Sequence, residues 1–180
     1  WWKNGYPEYF AKVLNAPNWI GINVFINDEA LDLHTCKKVE KFKRELNMKA
    51  GWLSRSFVAT LQNDIQIEVN IKRFLSLNMD ELGAIDYAVT SLNSDASITY
   101  KPYIDSGITN EDTNWDDKFW DTLNVSHENN QAFILAKTMK TDFYTCTFME
   151  SQVFIDKKSV VIEPIINADS NYASFSYNYR

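Results

Sequence analysis

The chain has 180 residues, a formal net charge of −6, 45% hydrophobic residues and 14% aromatic residues. This length suits one globular domain that buries roughly 70% of the surface exposed by the unfolded chain. The acidic balance excludes the basic patch of a nucleic-acid-binding protein, and the sequence contains neither a polybasic cluster nor an apolar run of membrane-spanning length.

The few cysteines and histidines exclude several kinds of site. Cys36 and Cys146 lie far apart and form no ligand-spaced set, so we expect two buried free thiols rather than a disulfide. His34 and His127 are equally isolated. We therefore predict no metal site, no catalytic triad and no phosphate-binding loop within this chain.

In the first part of the chain, turn signals separate short strand patterns. Residues 19–26 are rich in β-branched and aromatic side chains, and the turn sequence Asn27-Asp28 follows them. This arrangement predicts a strand, a tight turn and a short return strand over residues 31–33.

Residues 39–48 have an ambiguous pattern. Val39, Phe42 and Leu46 fall at helical spacing, whereas Phe42, Arg44 and Leu46 would share one face of a strand. The pattern alone leaves helix and strand open.

The middle of the chain carries the clearest strand alternation. Residues 52–61 place alternate apolar side chains on one face, and a turn at Asn63-Asp64 leads into a second strand over residues 65–77. Residues 85–89 and 96–100 repeat this alternation. The inward positions at the start of the second strand are predicted to be Ile65, Ile67, Val69 and Ile71.

Residues 100–120 begin as a strand and continue as a long polar loop. Long loops in compact domains are usually binding loops, interfaces or disordered inserts, and the tryptophans of this loop argue against disorder. Because aromatic rings stack on sugar faces and carboxylates accept hydroxyl protons, we interpret four loop residues as candidate substrate-binding residues: Trp115, Asp116, Asp117 and Trp120. In the alternative, the two tryptophans pin the loop onto its own domain or onto a neighbouring one.

Beyond the loop, three more strands are predicted over residues 131–139, 143–155 and 160–166, with a tight connection at residues 156–159. The tail, residues 172–180, alternates again. We expect about eight to eleven strands, no helix, and a single antiparallel β-sandwich over residues 1–180.

Three passages resemble the amino-terminal domain of the disaccharide phosphorylases of glycoside hydrolase family 65, a group that includes maltose, trehalose and kojibiose phosphorylases. They are residues 5–19, 42–55 and 103–120, and together they span nearly the whole chain. The second passage is similar to the family's R-x-L-D/N-M-x-x-G-x-L-x-R run, which here comprises Arg44, Leu46, Asn47, Met48, Gly51, Leu53 and Arg55.

The resemblance implies a large, galactose-mutarotase-like β-sandwich and assigns residues 39–48 to a strand. In the family, this domain precedes a helical linker and an α/α barrel that carries the general-acid glutamate and the phosphate pocket, and neither is in this chain. The chain would thus be a non-catalytic domain of an inverting, maltose phosphorylase-like enzyme that converts a disaccharide and phosphate to glucose 1-phosphate and glucose. It opens with Trp1-Trp2 and lacks the family's preceding glycine-rich segment, so we expect it to be incomplete at its N-terminus, with a C-terminal boundary that is open.

The resemblance also implies the partners of the parent enzyme. Its substrate would be an α-linked glucose disaccharide and its co-substrate inorganic phosphate, with no metal or organic cofactor. The sandwich would contact its own catalytic barrel, support a homodimer in the cytoplasm, and place the 105–120 loop at the rim of the active site.

Two other functions stay open. The chain could be a stand-alone carbohydrate-binding module with Trp115 and Trp120 as stacking platforms, or a domain of a family 65 hydrolase that uses water instead of phosphate. Asp116 and Asp117 are poor general-acid candidates, because they lie in a polar run without an apolar pocket. We expect Arg44 and Arg55 either to form structural salt bridges across adjacent strands or to dock the sandwich onto the barrel.

Overall fold

The computed structural model describes residues 13–110 and 118–179, and all regular secondary structure in them is β. Every strand pair of defined register in these residues is antiparallel, which confirms the predicted all-β class. The described residues form fourteen strands, more than the predicted range. They are β1 (Asn18–Ile26), β2 (Glu29–Ala30), β3 (Lys38–Asn47), β4 (Trp52–Thr60), β5 (Gln66–Leu75), β6 (Gly83–Ser91), β7 (Ile98–Asp105), β8 (Trp120–Glu128), β9 (Gln131–Thr138), β10 (Tyr144–Glu150), β11 (Val153–Ile155), β12 (Lys158–Val160), β13 (Ile165–Asp169) and β14 (Tyr172–Tyr179).

The strands form four sheets. The largest has the order β13-β14-β7-β1-β2, a second has the order β3-β4-β5-β6, a third has the order β10-β9-β8, and β11 and β12 form a hairpin. The described residues divide into two compact units. Unit 1 contains residues 13–23, 100–110 and 118–177, and unit 2 contains residues 24–99 and 178–179. That residues 1–180 form one domain stays a prediction.

In unit 2, strand β3 settles the ambiguity of residues 39–48. The segment is a strand, and its register with β4 shifts at a β-bulge where Lys41 and Phe42 together lie opposite Phe57. Lys41 has a φ of 51°, and the rings of Phe42 and Phe57 stack with centroids 6.2 Å apart. Because a bulge adds one residue to a strand, Val39 and Phe42 lie on the same face although they are three positions apart. The apparent helical spacing therefore comes from the bulge.

One face of β4 and β5 supplies the core of unit 2. Phe57 lies opposite Val69 and Ala59 lies opposite Ile67. All four side chains are at most 2% exposed, which confirms the predicted inward face. Burying each of the larger ones contributes roughly 1.5–3 kcal/mol before conformational entropy is subtracted.

Two tight turns have the geometry expected of their sequences. Asn27 and Asp28 have φ of 47° and 68°, and Asp156 and Lys157 have φ of 49° and 65°. Positive φ at both central positions matches the twist of the flanking strands, so a two-residue turn suffices. The predicted turn is confirmed, and the predicted connection over residues 156–159 is shorter than expected, because Lys158 and Ser159 belong to β12.

The predicted return strand over residues 31–33 is wrong in position. The return strand is β2, where Ala30 pairs with Phe25. The two-residue turn lets pairing begin at once, so the strand has ended before residue 31. The carbonyl of Asp32 instead accepts hydrogen bonds from the amides of Thr35 and Cys36.

In unit 1, strand β8 was not predicted. Its register with β9 shifts between Thr122 and Asn124, and Leu123 between them is half-exposed. This irregularity removes the alternation that would have indicated a strand. The loop that follows β7 therefore ends where β8 begins at Trp120.

Two predicted strands in unit 1 have the wrong bounds, because each is divided. Residues 143–155 form β10 and β11, which are separated at Ser151-Gln152. Residues 160–166 contain the end of β12 and the start of β13. Pro164 lies between these two strands, where its missing N–H interrupts a hydrogen-bond ladder.

Strand β14 forms as predicted and contributes to the core of unit 1. The Tyr177 hydroxyl shares a 2.7 Å hydrogen bond with Ser151. Burial raises the pKa of the Tyr177 phenol, and the bond to Ser151 offsets part of that rise. The buried cluster consists of Ile104, Ala132, Ile134, Ala173, Phe175 and Tyr177.

Both cysteines are free, as predicted, but neither is fully buried. Cys36 is partly buried, whereas Cys146 is exposed because it lies on the solvated face of β10, at the edge of its sheet. The burial prediction is therefore wrong. Within residues 13–110 and 118–179, no helix is long and apolar enough to cross a membrane.

Candidate functional site

The loop between β7 and β8 was the predicted site. Trp115, Asp116 and Asp117 lie outside the described residues, so their assignment as substrate-binding residues stays a prediction. The described ends of the loop meet in an antiparallel bridge between Thr109 and Lys118. The bridge brings together the two chain segments that lead into and out of residues 111–117.

The side chain of Trp120 is held by contacts within unit 1. Its side chain is 8% exposed, and its Nε1 donates a 2.8 Å hydrogen bond to the carbonyl oxygen of Asn15. The ring belongs to a buried cluster with Phe119 and Ala136. Trp120 thus has the contacts expected of a tryptophan that pins a loop onto its domain, and little of its surface is available to a sugar.

Asn110 anchors the loop base from the other side. Its Oδ1 accepts a 2.9 Å hydrogen bond from the amide of Asn15, and its Nδ2 donates a 2.7 Å bond to the carbonyl of Val13. The side chain is 7% exposed, so these bonds satisfy polar atoms that have left water. The sequence pattern indicated no role for Asn110, because its partners are more than ninety positions away.

The start of the loop is equally constrained. Ser106 is buried; its amide donates to the carbonyl of Asn171 at 2.9 Å, and its hydroxyl lies 2.6 Å from that of Thr122. Asp105 accepts a 2.7 Å bond from the amide of Gly107. A Cβ at Gly107 would collide with the side chain of Asn171, so a larger residue would require either that side chain or the loop entry to shift. The 105–120 loop therefore leaves a rigid base.

A groove on unit 2 is a second candidate site that the sequence patterns did not indicate. It has a volume of about 450 Å³ and lies on the solvent side of the β4–β5–β6 sheet. Trp52 is directly opposite Phe74, and Lys72 is directly opposite Asp86. The small side chains Ala50 and Ala84 leave the space between the larger ones.

The groove combines rings with charged groups. Lys72 Nζ lies 4.6 Å from the ring centroid of Trp52, a cation–π contact, and Phe74 is 44% exposed. An exposed ring can pack against the C–H face of a sugar, the carboxylate of Asp86 can accept hydrogen bonds from sugar hydroxyls, and the ammonium of Lys72 can donate them. The missed signal was Trp52 and Phe74 at solvent-facing positions of strands, where polar residues are usual.

Arg44 and Arg55 lie on adjacent strands, as predicted, and are direct cross-strand partners. The predicted cross-strand salt bridges are wrong, because two cations cannot pair with each other and neither arginine has an ion pair within the described part of the chain. Arg55 instead lies over the ring of Phe57, 5.8 Å from its centroid. Burial raises the pKa of the Tyr87 phenol, and the positive charge of Arg55 offsets part of that rise.

In the residues that the structure describes, no three His, Cys, Asp or Glu side chains gather into a group able to hold a metal ion. Some of their charged side chains form surface ion pairs, such as Lys37 with Asp64 at 2.7 Å. Such exposed pairs contribute little to stability.

Comparisons with known proteins agree on one relationship. A family model described as "Glycosyl hydrolase family 65, N-terminal domain" matches residues 1–180. Maltose phosphorylase of Bacillus subtilis (strain 168) is 38% identical over the whole chain, which spans 24% of that protein. Alpha,alpha-trehalose phosphorylase of Thermoanaerobacter brockii is 30% identical over 93% of the chain, which spans 22% of that protein.

The fold has a counterpart among solved structures. A chain from the human microbiome that is named as a kojibiose phosphorylase superposes with a TM-score of 0.78 and 24% identity, covering 92% of this chain and 20% of that one. This likeness confirms the predicted fold class, a large antiparallel β-sandwich. These 180 residues thus span about a quarter or less of the proteins they match.

Proposed function

Because this chain belongs to glycosyl hydrolase family 65, as its N-terminal domain, we propose that it is the non-catalytic sandwich domain of an inverting α-glucoside phosphorylase. The parent reaction would convert an α-linked glucose disaccharide and inorganic phosphate to glucose 1-phosphate and glucose. The observation that carries this proposal is the 38% identity to a maltose phosphorylase over the full chain. Two kojibiose phosphorylases match this chain in sequence over only 55% of it, which supports a maltose phosphorylase-like parent.

The chemistry of phosphorolysis supports a division of labour. A carboxylic acid must protonate the glycosidic oxygen while phosphate attacks the opposite face of the sugar, so one protein carboxylate and a set of anion-binding donors suffice. We assign both to the catalytic barrel that the family resemblance implies. The domain's own tasks would be to support that barrel and a cytoplasmic homodimer, with no cofactor besides phosphate as co-substrate.

The first test measures glucose 1-phosphate released from maltose, kojibiose and trehalose in the presence of phosphate. The 180-residue chain is compared with the longer protein that contains it. Release by the longer protein alone supports the proposal, and the active sugar identifies the substrate. Release by the 180-residue chain would contradict the non-catalytic assignment, and free glucose without glucose 1-phosphate would favour the family hydrolase.

We propose that the 105–120 loop forms part of the rim of the parent active site, with Trp115, Asp116 and Asp117 nearest the substrate. Replacing residues 111–117 by two glycines in the longer protein tests this role. The Thr109–Lys118 bridge and the buried Phe119 and Trp120 stay in place, so folding should be retained. We expect a higher KM for the disaccharide or loss of the dimer at an unchanged Tm; wild-type kinetics and assembly would contradict the proposed role.

The groove favours a second candidate function, carbohydrate binding by the domain itself. Its exposed ring of Phe74 and the oppositely charged side chains of Lys72 and Asp86 suit a neutral α-linked glucose oligosaccharide. Titration with maltose and longer maltooligosaccharides should quench or shift Trp52 fluorescence in the wild type and not in Phe74→Ala. Lys158→Ala, on the hairpin of unit 1, is the matched surface control. Absence of any change up to millimolar sugar would exclude binding at the groove.

A further inference from the structure

The sheet β3-β4-β5-β6 sorts its charges by face. Cross-strand register aligns two neighbouring rows on one face, Arg44–Arg55–Ile71 and Leu46–Leu53–Arg73. We name the surface formed by these six side chains the arginine face. It continues outward from the buried side chains Phe57 and Val69 on the same face.

Among the residues that the structure describes, the arginines all lie on this face and no acid of the four strands does. The sequence contains four arginines, and the three that lie in the described residues are all on the arginine face. Strand alternation places the acids of β3, β5 and β6 on the opposite face, and they are Glu40, Glu45, Glu68 and Asp86. Two lysines of β3 also lie there and form pairs with acids, Lys38 with Glu40 and Lys43 with Glu45.

The arginines have no ionic partner within residues 13–110 and 118–179. Arg44 lies directly opposite Arg55, and like charges at opposed positions of a sheet are destabilising. A chain with net charge −6 has ample carboxylates to offset this repulsion. Their absence from this face is the arrangement expected when the compensating negative charges come from another surface.

Several apolar side chains on this side of the sheet are exposed, whereas Leu53 and Ile71 are half-buried. Leu46 is 65% exposed, Phe42 is 52% exposed and Leu75, at the end of β5 on the same face, is 62% exposed. Interfaces are enriched in arginine and large apolar residues and depleted of lysine and acids. The arginine face has that composition, and the opposite face has the composition of a solvated surface.

We propose that the arginine face is the docking surface for the part of the same polypeptide that lies outside these 180 residues, and that this part presents carboxylates to Arg44, Arg55 and Arg73. The proposal rests on the proposed function, in which the chain is one domain of a phosphorylase. The matched phosphorylases are more than four times as long as the chain, so ample polypeptide exists to cover it. Guanidinium groups suit carboxylates because they form paired hydrogen bonds at fixed geometry.

A second copy of the chain fits this face poorly. In a two-fold dimer the same patch contacts itself, so the arginines of one copy would meet those of the other without acids between them. An acidic, partly apolar surface elsewhere in the polypeptide satisfies both the charge and the exposed side chains. The surface that covers the arginine face is therefore a different part of the parent protein and not a second copy of the same face.

The test uses the full-length protein that contains these residues and labels its arginines with phenylglyoxal, followed by mass spectrometry. Arg44 is the informative position, because it is exposed in the structure of this chain. We expect Arg44 to react at least about tenfold more slowly in the native protein than in urea, since a packed interface excludes the reagent. Reaction of native Arg44 at the unfolded rate would overturn the proposal.

A pair of charge-reversal variants isolates the contact. Arg44→Glu should open the interface and speed the labelling of Arg55 and Arg73 several-fold, although not to their rates in urea, because both are partly buried within this chain. Lys43→Glu makes the same charge change one position away on the opposite face. In this variant, Arg55 and Arg73 should still react slowly with phenylglyoxal. Equal effects of the two variants would overturn the proposal.

Three further measurements distinguish between the surfaces or ions that could cover the arginine face. Protection that disappears when the protein is diluted to monomers would assign the face to a second copy, and protection that requires added inorganic phosphate would assign it to that anion; either result overturns the proposal. Glucose 1-phosphate formation is measured on the same samples. Protection of Arg44 in a protein without phosphorylase activity would retain the docking surface and reject the proposed function.

Discussion

At the scale of single residues, close packing around Gly21 leaves no room for a side chain at that position. Gly21 lies in β1, and a Cβ there would collide with the ring of Tyr103. That ring stacks on Tyr172 with centroids 5.4 Å apart, so it has little freedom to move aside. The missing side chain at position 21 is thus a packing requirement of unit 1.

We predict that Gly21→Ala destabilises the chain by roughly 1–3 kcal/mol, the usual cost of overpacking. Urea denaturation followed by tryptophan fluorescence measures the change in midpoint. The control introduces Gly21→Ala into the Tyr103→Leu variant, where the smaller side chain at position 103 leaves room for the methyl group. An equal cost in both backgrounds would show that the ring contact is not the cause.

Cys36 couples stability to pH. Burial raises the pKa of the Cys36 thiol, and the negative charges of Glu29 and Asp32 raise it further. A pKa raised in the folded state means that the folded protein holds the proton more tightly than the unfolded chain does. The resulting contribution to stability is complete below the unfolded pKa of about 8.5 and is lost as pH rises through the folded pKa.

We therefore predict that Cys36→Ser loses less stability than wild type between pH 8 and pH 10, as measured by urea midpoints across that range. Iodoacetamide at pH 8 should modify the exposed Cys146 before Cys36, because alkylation requires the thiolate. Cys146→Ser is the control and should follow the wild-type pH dependence. Faster labelling of Cys36 than of Cys146 would contradict the prediction.

At the scale of elements, the β3–β4 pair carries an unfavourable contact that has a simple test. Arg44 and Arg55 are directly opposed. Arg44→Glu converts a repulsive pair into an attractive one, so we predict that it stabilises the 180-residue chain by about 0.2–1 kcal/mol. The gain should shrink with added salt, because salt screens exposed charges.

The measurement is the urea midpoint at low and high ionic strength, with Lys43→Glu as the matched control. Lys43 pairs with Glu45, so reversing its charge should leave stability unchanged or lower. A loss of stability in Arg44→Glu would show that the opposed guanidinium groups do not repel each other. The same substitution is expected to be harmful in the full-length protein, where the arginine face is covered.

At the scale of the whole molecule, the exposed apolar side chains of unit 2 and the exposed Arg44 should behave as an uncovered surface. We predict that the 180-residue chain binds the anionic apolar dye anilinonaphthalene sulfonate in its native state, because exposed apolar surface binds that dye. Arg44→Glu should weaken the binding, and the full-length protein should show less of it per molecule. Equal dye binding by wild type and Arg44→Glu would place the dye elsewhere.

The sequence by itself determined the strand content and the family. Alternation with period two is a local property, so most strands and the turns at Asn27-Asp28 and Asp156-Lys157 could be predicted from neighbouring residues. The resemblance of residues 42–55 to a family run identified the domain, which the family match over residues 1–180 confirmed. Local patterns failed where a bulge or a proline interrupts the period, as in β3, β8 and residues 160–166.

Only the tertiary structure decided which side chains meet. The opposition of Arg44 and Arg55, the pairing of Trp52 with Phe74, and the bond from Trp120 to Asn15 each join segments whose register no local pattern specifies. Strand register depends on long-range pairing and on bulges, and a shift of one residue exchanges the two faces of a strand. For this reason the candidate groove and the arginine face emerged from the fold.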